Sequence, residues 1–88
     1  MYTLIYSTGA EKDLAGLPKD VAVRIHTSLK KIKENPYNHV KKLEGTFAVP
    51  LYSFKVGREY RCILTIEDNK MVIFVIEIGH RKNIYRKY

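Results

Sequence analysis

The feature that most constrains the fold is an apolar run, residues 71–76, that leads into a basic segment. The run, from Met71 to Ile76, is rich in β-branched and aromatic residues, which is typical of a buried β-strand. The last ten residues, 79–88, hold four Lys or Arg, one His, two Tyr and no acidic residue. A core strand that ends in such a segment places cations and rings at the edge of a rigid sheet, where they can hold a polyanion.

The overall charge indicates the class of partner. A formal net charge of +7 and a pI of about 9.6 favour nucleic acid, an acidic protein or a membrane surface. With 88 residues the chain has room for one core, so we predict a single domain over residues 1–88. Cys62 is the only cysteine, and no apolar run approaches the roughly 18–20 residues of a membrane span. We therefore predict a cytoplasmic protein with no membrane partner.

The N-terminal third predicts one strand and two helices. Residues 2–6 are aromatic and β-branched, which favours a strand. Thr8 followed by Glu11 fits a capping box that starts a short helix ending near residues 16–18. A second helix follows Pro18, because the first turn of a helix does not need the N–H that proline lacks.

The second helix has one apolar stripe and a clear end. Apolar residues recur at spacings of four, four and three, at Val21, Ile25, Leu29 and Ile32. The Asn-Pro pair at residues 35–36 ends the helix. The stripe must be buried, so we expect it to pack on a sheet.

The rest of the chain predicts a loop and a meander of three strands. The loop covers residues 37–48, and the strands cover about 49–56, 59–66 and 71–78. The element order is then β-α-α-β-β-β. It predicts an α+β fold in which two N-terminal helices pack on a small, mostly antiparallel sheet.

Alternation along the first two meander strands sorts their faces. The apolar set, expected beneath the helices, is Tyr52, Phe54, Val56, Tyr60, Cys62, Leu64 and Ile66. Lys55 and Arg61 have the opposite parity and should project from the open face of the sheet. The cations of residues 79–88 are expected to join them there.

Three segments together carry a resemblance to a known family. They are residues 42–45 (Lys-Leu-Glu-Gly), residues 52–61 (ending in Tyr-Arg) and residues 78–85 (Ile-Gly-His-Arg-Lys-Asn-Ile-Tyr). On these segments the whole chain resembles the RelE/ParE superfamily of toxin–antitoxin toxins. RelE-type members cut mRNA in the ribosomal A site without a metal and are neutralised by a cognate antitoxin. ParE-type members share the fold but poison DNA gyrase and are not nucleases.

The resemblance implies four site residues by position. Arg61 matches the arginine of the Tyr-Arg strand motif, and Arg81 matches the arginine after the last strand. Tyr85 matches the tyrosine of the C-terminal motif. Lys55 matches one of the two meander lysines that nuclease members use.

The chain departs from the nuclease pattern at two positions. Ser53 stands where the second meander lysine falls, and Glu44 stands where an arginine falls. Both departures remove positive charge from the expected site. His80 is the residue that could compensate, because relatives place a histidine in the same segment.

Metal-free RNA cleavage needs a base for the 2′-hydroxyl, positive charge for the phosphorane and an acid for the leaving 5′-oxygen. Arg61 and Arg81 suit the phosphorane, since a guanidinium stays charged and binds phosphate through two parallel bonds. Lys55 could add charge or act as base, His80 could be base or acid, and Tyr85 could donate a proton or stack on a base. The products would be a 2′,3′-cyclic phosphate and a 5′-hydroxyl.

The remaining predictions concern binding and alternatives. Further cations are predicted to contact RNA, namely Lys41, Lys42, Arg58, Lys82, Arg86 and Lys87. The expected partners are an antitoxin of the RelB type, ribosomal RNA and mRNA; no cofactor or metal is expected. The antitoxin would cover the open face or displace residues 79–88. The alternative functions are a ParE-like gyrase inhibitor and a catalytically weak or inactive RNA-binding relative.

Several of these residues also have purely structural interpretations. Arg61 could form an ion pair with Glu59 or Glu77, and Tyr85 and Tyr88 could pack the C-terminus against the sheet. Cys62 is expected to be a small core residue. His26 and His39 are expected to have no role.

Overall fold

A computed structural model describes all 88 residues and assigns eight regular helices and strands. In chain order they are β1 (Thr3–Tyr6), α1 (Thr8–Ala15), α2 (Lys19–Lys31), β2 (Lys41–Lys42), β3 (Tyr52–Val56), β4 (Tyr60–Glu67), β5 (Val72–His80) and α3 (Arg81–Lys87). Short 3₁₀ helices occupy Pro36–Asn38 and Asp68–Lys70. No helix combines the length and the apolar character that a membrane crossing requires.

The strands form one five-stranded sheet in the order β1-β5-β4-β3-β2. β1 runs parallel to β5, and every other neighbouring pair is antiparallel. The predicted α+β class and the mostly antiparallel sheet are confirmed. The meander strands begin and end within three residues of the predicted bounds.

Two elements were missed by the predicted element order. Residues 41–42, assigned to a loop, form edge strand β2, whose two exposed lysines carry no strand signature. Their conformation comes from pairing with Ser53 and Tyr52 of β3. The C-terminal segment, for which no regular element was predicted, forms α3. It has one buried residue, Ile84, which is too little for an apolar stripe to be recognised.

The predicted start of α1 was one residue late. Ser7, and not Thr8, is the N-cap: its Oγ accepts a hydrogen bond from the backbone N–H of Ala10 at 3.0 Å. The Ser7 hydroxyl also donates to the carbonyl of Ile76 in β5 at 2.8 Å, which ties the helix start to the centre of the sheet.

The main core lies between the sheet and helices α1 and α2. It contains eleven buried residues, and the predicted stripe supplies Ile25, Leu29 and Ile32. Cys62 and Leu64 of β4 are fully buried in the same cluster, which confirms the predicted face and the core role of Cys62. Fully burying a side chain of this size contributes about 1.5–3 kcal/mol.

A second, smaller cluster lies on the opposite face, beneath α3. It consists of Leu51, Ile63 and Ile84, with Tyr88 packed against it. α3 therefore docks on the face that was expected to be open. The docking covers Arg61, which was expected to project into solvent.

β5 contains one extra residue relative to its partner strand. Ile63 pairs with Glu77 and the next residue, Leu64, pairs with Val75, so Ile76 has no partner in β4. This is a β-bulge, which bends the strand and increases its local twist. The bulge lies just before the end of β5 that leads into α3.

Candidate functional site

The turn between β3 and β4 brings two cations side by side. Lys55 and Arg61 are direct partners in the antiparallel register, as predicted from their parity. The turn requires Gly57, which adopts φ +62°, a conformation that L side chains rarely adopt. On the other side of β4, Arg61 pairs with Gly79 of β5, so no side chain crowds the guanidinium there.

Arg61 is only 5% exposed although it carries a full positive charge. Its Nη1 donates to the carbonyl oxygens of Gly57, Arg58 and Tyr60 at 3.4, 3.3 and 2.8 Å, and its Nε donates to the Tyr85 hydroxyl at 3.2 Å. No carboxylate pairs with it, and Nη2 makes no hydrogen bond within the protein. A buried charge without a counter-ion is costly, and a bound anion would supply the missing negative charge.

The proposed ion pair of Arg61 with Glu59 or Glu77 is therefore wrong. The Glu77 carboxylate instead accepts from Lys87 Nζ and, at 2.9 Å, from the Tyr88 hydroxyl. Burial and the hydrogen bond to Glu77 raise the pKa of Tyr88 to about 12. These contacts fasten the end of α3 to β5.

Tyr85 stands over Arg61 from the exposed side of α3. The Arg61 Cζ lies 5.8 Å from the ring centroid of Tyr85, and the ring itself is 57% exposed. The hydrogen bond from Arg61 lowers the pKa of Tyr85, and the charges of Arg61, Lys55 and Arg81 act in the same direction. Tyr85 is thus influenced by Arg61, Lys55 and Arg81, the other three residues that the resemblance selected.

Arg81 is held at the first position of α3. Its backbone N–H donates to the carbonyl of Glu59 at 2.7 Å, which fixes the start of the helix to the β3–β4 turn. Its side chain is exposed and free to approach a ligand bound over Arg61.

A groove of about 670 Å³ opens beside these residues, between α3 and the chain around β2. Its lining consists of Asn38, His39, Val40, Lys41, Lys42, Leu43, Glu44, Ser53, Lys55, Tyr85 and Tyr88. Three lysines and one glutamate give the groove an excess of positive charge. The groove therefore fits an anionic chain that passes over Tyr85.

His80 is directed away from this group. It pairs with Tyr60 in the register, and the two rings make an edge-to-face contact with centroids 6.2 Å apart. Its Nδ1 accepts from the backbone N–H of Lys82 at 3.3 Å, so His80 is the N-cap of α3. None of its hydrogen bonds or ring contacts joins it to Arg61 or Tyr85.

The predicted RNA-contacting cations fall into three places. Lys41 and Lys42 line the groove, while Arg58 lies exposed on the β3–β4 turn. Lys82 and Arg86 are exposed on α3. Lys87 is paired with Glu77, which leaves it less available to a phosphate than the others.

Two groove residues were missed as functional residues by the sequence patterns. His39 was assigned no role, because a lone histidine in a loop carries no signal of its own. Tyr88 packs and hydrogen-bonds as its structural interpretation predicted, yet it also lines the groove. Only the folded structure reveals that His39 and Lys55 line the same groove. No group of three or more His, Cys, Asp or Glu side chains is placed to share a metal ion.

Comparison with protein families gives a match over almost the whole chain. One family model, described as the ParE toxin of the type II toxin–antitoxin system parDE, matches residues 4–85. No curated protein sequence gives a significant match.

Several solved structures share the fold. The toxin–antitoxin complex RelBE2 of Mycobacterium tuberculosis is 25% identical with a TM-score of 0.79, covering 91% of this chain and 98% of the other. The archaeal RelE–RelB complex of Pyrococcus horikoshii OT3 is 27% identical with a TM-score of 0.73, covering 91% and 94%. The intact E. coli RelBE toxin–antitoxin complex is 28% identical with a TM-score of 0.74, covering 90% and 95%.

Proposed function

This chain belongs to the ParE toxin family of type II toxin–antitoxin systems, within the RelE/ParE superfamily. From its site residues and its similarity to RelE structures, we propose that it is an mRNA-cutting toxin. It would act in the cytoplasm as an endoribonuclease on mRNA held in the ribosomal A site, without a metal ion. The observation that carries the proposal is Arg61, a buried guanidinium with no counter-ion and one terminal nitrogen free beside Tyr85. A scissile phosphate would supply the missing negative charge.

The residues divide the work of cleavage. Arg61 and Arg81 hold the non-bridging oxygens and stabilise the charge that accumulates on the phosphorane, which is usually the largest contribution to such a reaction. Lys55 adds a third positive charge at the same phosphate. Tyr85, held by Arg61, donates its proton to the leaving 5′-oxygen, which a lowered pKa favours.

The surrounding surface supports RNA binding. Lys41 and Lys42 continue the positive charge along the groove, while Arg58, Lys82 and Arg86 extend it around the β3–β4 turn and α3. Each phosphate contact of this kind makes the affinity more salt-dependent. Such a surface suits ribosomal RNA, with the mRNA strand in the groove.

The proposed partner in the resting cell is an antitoxin of the RelB type. The support is that RelE relatives from a bacterium and an archaeon, 25–27% identical to this chain, were solved as complexes with RelB antitoxins. α3 is fastened by one buried residue, Ile84, and by the Glu77 contacts. An antitoxin segment that lifted α3 would part Tyr85 from Arg61 and stop cleavage without unfolding the core.

Primer extension on mRNA bound to programmed ribosomes tests the proposal. The wild type is expected to give discrete A-site cuts, and Lys55→Ala is expected to weaken them. Lys30→Ala is the matched control, because it removes an exposed lysine from α2, on the other side of the sheet. No cuts from a folded wild type, or equal cuts from both variants, would reject the assigned site.

The family model favours a second candidate, inhibition of DNA gyrase. Its description names a ParE toxin, and Glu44 places a carboxylate in the groove where nuclease relatives carry an arginine. Gyrase supercoiling in the presence of purified protein separates the two functions. Inhibition that Lys55→Ala leaves unchanged, together with intact mRNA, would select this candidate.

A further inference from the structure

His39 occupies a position in the groove that the proposed site does not yet use. It follows the 3₁₀ helix Pro36–Asn38, and its backbone N–H donates to the carbonyl of Pro36 at 3.1 Å. β2 begins two residues later, where Lys41 pairs with Ser53. The chain from His39 into β2 therefore runs along the edge of β3, the strand that carries Lys55. The imidazole and the Lys55 amine line the same groove as Tyr85.

The contact with Asn35 favours one tautomer of the His39 ring. Its Nε2 lies 3.2 Å from Oδ1 of Asn35, four residues earlier. An amide oxygen can only accept a hydrogen bond, so Nε2 carries the hydrogen and donates. In the neutral ring this leaves Nδ1 without a hydrogen and able to take up a proton.

No other residue of the site is as well suited to accept a proton. Arg61 and Arg81 cannot be deprotonated in a protein. Lys55, the other candidate base, would have to give up the positive charge that it is assigned at the phosphate. Tyr85 receives a hydrogen bond from Arg61 and is assigned to the leaving group. His80 is engaged as the N-cap of α3, with its Nδ1 on the backbone of Lys82. A site with anion-holding arginines and a proton donor still lacks a base.

We propose that His39 is a catalytic residue, the general base that takes the proton of the attacking 2′-hydroxyl. The inference rests on the proposed endoribonuclease function and adds the one component that its site lacks. In the step, the 2′-oxygen forms a bond to phosphorus while its proton passes to Nδ1 of His39. The bond from phosphorus to the 5′-oxygen breaks, and the 5′-oxygen takes the proton of Tyr85. Solvent then returns a proton from His39 to Tyr85.

The charged groups around His39 affect its protonation and therefore the pH dependence of cleavage. The titratable and charged groups that share its groove are Lys41, Lys42, Glu44, Lys55, Tyr85 and Tyr88. The three lysines oppose a positive charge on the imidazole and Glu44 favours one, so a substitution at any of them also shifts a histidine-dependent pH profile. Asn35 is the only hydrogen-bond partner of the ring, and it is neutral.

The test is the pH dependence of single-turnover cleavage of ribosome-bound mRNA. For the wild type, the rate should rise with pH between roughly 5 and 8, where histidine changes charge. His39→Gln should lower the rate by about 10²–10⁴-fold, remove this rise and leave binding of the ribosome unchanged. His26→Gln and His80→Asn are the matched controls, and His80→Asn keeps a capping side chain at the start of α3.

A second variant distinguishes a catalytic base at position 39 from a residue that has only a structural role. Asn35→Asp places a carboxylate on Nε2, which stabilises the protonated ring, so the rising limb should move to higher pH. A merely structural role would not produce this shift. Cleavage by the wild type with an unchanged rate and pH profile in His39→Gln would overturn the inference and leave the proposed function standing. Absence of cleavage by the wild type would overturn both.

Discussion

The two faces of the sheet differ in what they bury. The face under α1 and α2 buries eleven residues, and all of them are apolar. The face under α3 buries three apolar residues, together with Arg61 and Thr65. The first face forms a packed core. On the second face, the short helix α3 covers the charge of Arg61, which has no counter-ion. The difference indicates that one face supplies stability and that the other carries the proposed site.

The chemistry of the α3 face depends on its weak attachment. A densely packed helix over Arg61 would either exclude the guanidinium or leave it inaccessible to a ligand. α3 covers Arg61 with a tyrosine that is itself exposed, so a phosphate can approach from the groove side. The four predictions below test this division, in order of decreasing effect.

The largest effect on stability should come from the face under α1 and α2. Leu64→Ala removes a fully buried side chain and should lower the free energy of unfolding by about 2–5 kcal/mol. The next residue, Thr65, points to the other face and donates to the carbonyl of Pro50 at 2.9 Å, so Thr65→Val should cost only about 1 kcal/mol. Urea unfolding of both variants measures the difference. Equal losses would contradict the division.

Substitution of Arg61 should affect activity and spare stability. Arg61→Met should lower mRNA cleavage by about 10²–10³-fold, because the anion-holding group is lost. The free energy of unfolding should stay the same or increase, since a buried unpaired charge has been removed. Arg24→Met, which removes an exposed arginine from α2, is the control for removing an arginine. A loss of several kcal/mol in Arg61→Met would instead make Arg61 a structural anchor.

Ile84→Ala should loosen α3 more than it destabilises the whole molecule. The free energy of unfolding should fall by less than about 2 kcal/mol, because the loss cannot exceed the free energy that docks α3 on the core. Hydrogen exchange of the α3 amides should accelerate, and cleavage should fall as Tyr85 leaves Arg61. Asn83→Ala, at the exposed neighbouring position, should do neither. Uniformly faster exchange across the sheet would argue that α3 is part of the main cooperative unit.

The smallest expected effect concerns the order in which Tyr85 and Tyr88 lose their protons as the pH rises. Tyr85 has a lowered pKa, and Tyr88, three residues later, has a pKa of about 12. Near-ultraviolet titration should therefore lose its earliest step in Tyr85→Phe and a late step in Tyr88→Phe. A lowered pKa in the folded state means that the Tyr85 phenolate stabilises the fold fully above 10, its ordinary pKa, and that this stabilisation disappears as pH falls through the lowered value. A Tyr85 step later than that of Tyr88 would exclude the Arg61 contact.

The face under α1 and α2 was predictable from the sequence, because buried residues recur at a regular spacing along a helix or a strand. The α2 stripe repeats at helical spacing, and Phe54, Cys62 and Leu64 alternate at strand spacing, so each segment showed its buried side independently. The same alternation placed Lys55 and Arg61 together on the other face. The face under α3 was harder to predict from the sequence. Its helix is defined by one buried isoleucine, a histidine cap and a carboxylate on another strand.

His39 shows why the site was only partly predictable. The residues that the resemblance selected are held close together by the β3–β4 hairpin and by α3, which begins directly after β5. His39 lines the same groove just before a two-residue strand whose sequence, two lysines, has no strand preference. Such pairing is decided by the available edge of β3 and not by local propensity. It becomes visible only when the sheet is assembled.

The bulge at Ile76 determines which side of the protein receives each residue at the end of β5. Because one residue is unpaired, the alternation changes phase: Val75 and Ile78 both face α1 and α2, although three positions separate them. Glu77 consequently falls on the side of Lys87 and Tyr88. If Ile76 were paired in strict alternation instead, Glu77 would turn into the apolar core and Ile78 would turn out of it. The unpaired residue thus allows Ile78 to stay in the core while Glu77 binds the end of α3.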